Sequence, residues 1–174
     1  GDVCTHLPGI TTLELCLPRI YAESGEFDIK VLPEGSDFSS VDMASVDVQL
    51  LVDGEEVHLV NGFASGYGWG GPYGMIDLVF MEPGVGDEFY YLEVYVFQEY
   101  WEPGTVSLGD GAQQIDARLY RISDETWVAG MALAGMIELV ETTEPELCDG
   151  PGCPKTVVGS LSLELFGLEA SFPE

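Results

Sequence analysis

Ser45-Val-Asp-Val-Gln-Leu-Leu-Val-Asp-Gly-Glu-Glu-Val-His-Leu-Val60 alternates in polarity with a period of two. Val46, Val48 and Leu50 fall on one side, Asp47 and Gln49 on the other. Successive side chains of a strand point to opposite faces, so this period predicts a half-buried strand, not a helix with its three-and-four spacing. Asp53-Gly54 then supplies the positive φ that a two-residue hairpin turn requires, and Val57 and Leu59 resume the alternation on a returning strand. His58 faces opposite to Val57 and Leu59, where a histidine reads as a surface or hydrogen-bonded residue in preference to a catalyst.

Working outward, Glu88 to Gln98 is a second strand. Phe89, Tyr91, Tyr95 and Phe97 point one way and Tyr90, Leu92, Val94 and Val96 the other, so both faces are apolar and the strand belongs in the middle of a packed sheet. Leu161, Leu163 and Leu165 alternate with Ser160, Ser162 and Glu164 and predict a third. Further strands are expected at 11–17, 27–32, 75–81, 115–122 and 168–172. The segment Gly130 to Glu141 has helical features in Met131, Leu133, Met136, Ile137 and Val140. Gly130 and Gly135 weaken a helix there, and the segment is read as strand. Nine or ten strands without crossover helices predict an all-β fold, an antiparallel, jelly-roll-like β-sandwich. The 174 residues form one domain, 1–174, with a short N-terminal arm, 1–8.

Thirty-one acidic residues face five basic ones, a formal charge of −26. Such a surface repels phosphate backbones and anionic headgroups, which excludes nucleic acid and acidic membranes as partners. It attracts cations, and it also suits solubility or a saline habitat. No apolar run approaches the roughly 20 residues that span a bilayer as a helix, so no membrane insertion is expected. The chain starts at Gly1 without a signal-like apolar segment, as a processed or trimmed protein would. Four cysteines, Cys4, Cys16, Cys148 and Cys153, allow three pairings. Cys4 with Cys16 and Cys148 with Cys153 is preferred, because the second pair encloses the turn-forming Asp149-Gly-Pro-Gly152. A zinc site is the rival, but no Cys-x-x-Cys knuckle supports it. Disulfides place the protein outside the cytosol, extracellular or at the cell surface.

Gly62-Phe-Ala-Ser-Gly-Tyr-Gly-Trp-Gly-Gly-Pro-Tyr-Gly74 interleaves glycine with aromatics. As a loop it presents Tyr67, Trp69 and Tyr73 for stacking on sugar rings or for a partner's pocket. The same pattern also suits a loop folding its rings back over the end of the fold. Tyr95, Phe97, Tyr100 and Trp101 either continue that surface or belong to the core. Calcium is the possible cofactor, with Asp37, Asp42, Asp110 and Asp149 as loop carboxylates, none in the EF-hand spacing. His6 and His58 are the only histidines, no nucleophile elbow accompanies them, and no catalytic residue is assigned.

Two resemblances enter here. Phe89-Tyr-Tyr-Leu-Glu-Val-Tyr-Val-Phe97 resembles, over about one strand, the nucleophile strand of jelly-roll xylanases. That implies an acid-active glycosidase acting through Glu93, with no matching acid–base strand. Pro103-Gly-Thr-Val-Ser-Leu-Gly-Asp-Gly111, Gly135-Met-Ile-Glu-Leu-Val-Glu141 and Gly159-Ser-Leu-Ser-Leu-Glu-Leu165 are together similar to secreted, lipoprotein-like β-sandwich modules of environmental bacteria. Those modules have unassigned function, so the resemblance implies export and a sandwich.

The expected function is that of a non-enzymatic extracellular structural or adhesive protein, either a surface module or the subunit of a cell-surface assembly or filament. A carbohydrate-binding module using the aromatic-glycine loop is the alternative, and the acid-active glycosidase the third reading. The expected partners are the protein itself, another surface protein or a glycan. Subunits carrying this charge assemble only through large apolar contacts, strand exchange or bridging cations. The arm 1–8 is a candidate for strand addition to a neighbour.

Overall fold

The computed structural model describes residues 2–6, 14–32, 43–52, 54–68, 71–83, 88–143 and 156–171. Within them the chain forms twelve strands: β1 (Asp2–His6), β2 (Glu14–Ser24), β3 (Phe27–Leu32), β4 (Ala44–Val52), β5 (Glu55–Tyr67), β6 (Met75–Met81), β7 (Phe89–Phe97), β8 (Gly104–Gly109), β9 (Ala112–Gln113), β10 (Ile115–Ile122), β11 (Thr126–Glu141) and β12 (Thr156–Ser171). The 3-10 turn Gln98–Tyr100 follows β7. The predicted hairpin is β4 and β5, with Gly54 at φ +79° in its turn. The segment 130–141 lies within a strand, since β11 runs through it.

The sandwich expectation is corrected by the pairing. Eight strands close a ring, β2–β12–β11–β10–β7–β6–β5–β4 and back to β2, every neighbour antiparallel. This is an antiparallel β-barrel, in which no strand of the ring is left as an edge. Closure rests on long strands that change partner along their length. β12 pairs with β3 over 156–159 and with β2 over 162–166, and the Ser24 hydroxyl accepts the Leu161 amide at 3.0 Å where the partner changes. β11 pairs with β10 over 118–122 of that strand and, beyond irregularities near Ala132/Ala134, with β8. Gly135 makes that bend possible: its φ is +148°, and a Cβ there would lie 2.8 Å from Leu163 Cα. β3 lies between β12 and β5, parallel to the latter. β9 extends β8, and β1 pairs with the start of β2.

The interior is apolar and filled. Ile20, Phe27, Leu50, Leu59, Leu78 and Phe80 are among its fully buried members, joined by Leu92, Val94 and Val96 from β7 and by Leu119 from β10. Phe27 and Phe80 meet edge-to-face at 5.2 Å. The predicted alternation of β7 therefore holds, with Leu92, Val94 and Val96 inside and Tyr91, Glu93 and Tyr95 outside.

Candidate functional site

Two grooves lie along the outer face of β6 and β7, one at each end. The first follows from the aromatic-glycine segment, only part of which is loop. Residues 62–67 belong to β5, where Phe63, Ala64 and Ser65 are buried. Gly62 faces inward, where a Cβ would stand 3.1 Å from Ile29 Cγ2 and 3.2 Å from Phe80 Cδ1, so core side chains take the space its side chain would need. The connection from Gly68 to Gly74 is held by Gly71 N donating to Gly68 O and Gly74 N to Gly71 O. The main-chain N–H of Gln98 donates to Gly74 O at 2.9 Å and fastens the connection to the 3-10 turn. A small residue suits position 74, because a Cβ there would stand 2.9 Å from the backbone oxygen of Gly68.

This arrangement leaves Tyr73 84% and Tyr67 65% exposed. Tyr73 borders a groove of about 590 Å³, lined also by Met75, Phe97, Gln98, Glu99 and Gln113. Apolar surface, an exposed ring and two amides together suit a polyhydroxylated ligand, whose ring faces stack while its hydroxyls exchange hydrogen bonds. The second aromatic cluster divides. Trp101 is buried, its Nε1 donating to Thr143 O at 3.3 Å, and Tyr100 packs against the core, whereas Tyr95 and Phe97 lie on the outer face.

The second groove, of about 310 Å³, is lined by two carboxylates, Asp77 and Glu93, and by six apolar or aromatic residues that include Phe63, Val79, Phe89 and Tyr91. The register sets Asp77 opposite Tyr95 and Glu93 opposite Val79, so the two acids are diagonal neighbours on adjacent strands. The Tyr95 hydroxyl donates to the Glu93 carboxylate. Burial, reinforced by the charge of Glu93, pushes the Asp77 carboxyl up to about 8, and Asp77 Oδ1 is covered without a hydrogen-bond partner among the described residues. Burial likewise raises the Tyr91 and Tyr95 phenols, so Tyr95 keeps the proton it donates. Tyr91 stacks on Tyr120 at 4.8 Å. Arg118, opposite Glu93 on β10, is raised chiefly by its hydrogen bond to Tyr120, and its Nε lies 3.9 Å from Asp116. Asp77 was invisible to sequence reading: one acid in Met75-Ile-Asp-Leu-Val-Phe-Met81 looks like any solvent-facing strand residue.

The remaining candidates sort as follows. His58 is exposed between Asp47 (3.3 Å) and Glu56 (3.1 Å) on the β4–β5 hairpin, away from both grooves. Asp110 occupies the exposed β8–β9 turn at φ +51°. Among the described residues no group of three or more metal-ligating side chains comes together. Trp69, Asp37, Asp42, Asp149, Cys148 and Cys153 lie outside the described residues. Backbone pairing sets Cys4 directly opposite Cys16. Glu93 stands on the outer face of a closed barrel, not in the jelly roll that the xylanase likeness presumes. No protein family, characterised protein or solved structure matches the chain.

Proposed function

We propose that this protein is a non-enzymatic extracellular adhesive module that holds a neutral glycan in the groove beside Tyr73. The observation that carries this reading is Tyr73, left in water at a groove bearing Gln98 and Gln113, with Tyr67 exposed on β5 opposite the groove residue Met75. Solvent-facing aromatic rings are costly for solubility and useful for stacking. The net charge of −26 selects a neutral or cationic polymer over an anionic one.

Two further features support the setting. Directly opposed residues of an antiparallel pair have Cα atoms about 4.5–5.5 Å apart, within disulfide range, so the Cys4–Cys16 register favours a cross-strand bridge and an oxidising compartment. An apolar interior reverses the polarity of water-filled membrane barrels and favours work in water. The adhesive form is favoured over strand-exchanged assembly because residues 2–6, the proposed donor arm, already pair with β2 of their own chain.

The test is binding to a panel of neutral polysaccharides by affinity electrophoresis. Tyr73→Ala is expected to weaken retention about tenfold or more, near 1.4 kcal/mol, with an unchanged melting temperature. Retention that is equal in wild type and Tyr73→Ala refutes the site.

A further inference from the structure

The second groove carries chemistry that glycan binding does not use. We propose that the groove between Asp77 and Glu93 binds a small organic ammonium, a primary amine with an aliphatic or aromatic body. Glu93 and Asp77 receive the ammonium, and the walls formed by Phe63, Val79, Phe89 and Tyr91 receive the body.

Three observations converge. Two carboxylates share an apolar groove, and neither forms an ion pair among the described residues. Asp77 Oδ1 is buried without a donor, and buried acceptors are ordinarily satisfied, so the groove lacks a hydrogen-bond donor at that oxygen. The walls are apolar and aromatic, which an ammonium with a hydrocarbon body matches and a hydrated metal ion does not. An anion meets Glu93 and the acidic surface, while a neutral body leaves the carboxylates as they were.

The protonation of Asp77 gives the site a signature. The groups facing it are Glu93 and Tyr95 on β7, with Tyr91 and Tyr120 nearby and Ser65 opposite on β5. The cation Arg118 is paired directly across from Glu93 on β10, its Nε 3.9 Å from Asp116. In the free groove Asp77 stays protonated to about pH 8. Ammonium binding therefore strengthens as pH rises toward and past that value, with proton release.

Isothermal titration of the full chain with hexylammonium, 1-hexanol and hexanoate tests this. The range is about pH 6 to 9, where an alkylammonium stays charged, as lysine does with its pKa of about 10.4. Hexylammonium is expected to bind at least tenfold more tightly than hexanol, hexanoate weakest. Glu93→Gln is expected to lose at least tenfold for the ammonium and to leave hexanol unchanged, and Asp77→Asn to flatten the pH dependence. A wall variant, Phe89→Ala, weakens the ammonium and the alcohol alike. If Glu93→Gln fails to fold, the wild-type ratio of ammonium to alcohol and the Asp77→Asn pH profile decide. The proposal is overturned if hexanol equals hexylammonium, if both carboxylate variants keep wild-type ammonium affinity, or if hexylammonium gives no binding at about 10 mM.

Discussion

The outer faces of two strand pairs in this barrel, β4–β5 and β6–β7, obey the same alternation and end in different chemistry. On β4–β5, Asp47, Gln49, Leu51, Glu56 and His58 stand in water, and their pairings, His58 to Asp47 and to Glu56, are exposed contacts. On β6–β7, Val79 is buried, Asp77 and Glu93 share an apolar groove, and Tyr95 holds Glu93 by a hydrogen bond. Inside the ring both pairs contribute the same kind of apolar residue to one core: Val48, Leu50 and Leu59 from one, Leu78, Leu92 and Val94 from the other. An outer face of a closed barrel is normally the solvated one. On β6–β7 it is apolar and encloses Asp77, whose carboxyl burial pushes up to about 8.

The sharpest way to break this comparison is pH. Asp77 is raised from 3.8 to about 8, so the folded state holds a proton that the unfolded state has lost between those values. The stability it contributes is complete below about pH 4 and is lost as pH rises through about 8, on the order of 1 kcal/mol for each pH unit. Urea midpoints at about pH 5 and 8 should fall with pH in wild type and fall clearly less in Asp77→Asn. Substituting an exposed acid, Asp47→Asn, should keep nearly the wild-type slope. Equal slopes in wild type and Asp77→Asn would mean the two outer faces do not differ.

Next in size is the shared interior. Leu78→Ala, directly behind the Asp77 face, should cost about 2–5 kcal/mol by chemical denaturation, as a buried leucine truncation does. A cost below about 1 kcal/mol would show that the barrel interior is loosely filled. The smallest effect belongs to the solvated face. His58→Ala removes two exposed contacts and should change stability by no more than about 0.5 kcal/mol, since exposed ion pairs contribute little.

Much of the strand pattern was legible. The hairpin at 45–60, the strand at 88–98 and the shorter ones at 27–32, 75–81 and 115–122 follow from alternation and turn residues, because both signals are local. The segments 160–165 and 168–172 appear as two strands in sequence and as one, β12, in the fold. Gly167, at their junction, packs against Pro18, with which a Cβ would make 3.1 Å contact, so a small residue that looks like a break is a close approach within a strand. For the same reason Gly62 made part of β5 look like loop.

Residue order by itself determined the all-β class, the inward and outward sides of β4, β5 and β7, and the acidic field, since these depend on neighbours one or two positions apart and on composition. Tertiary structure alone decided closure of the sheet and the site on its surface. Alternation is identical in a sandwich and a barrel, and only pairings such as β2 with β4 and β11 with β12, between segments far apart in the chain, distinguish them. Asp77 meets Glu93 for the same reason: a strand turned back on its neighbour brings two acids sixteen positions apart into one groove, where burial and the charge of Glu93 raise the Asp77 carboxyl.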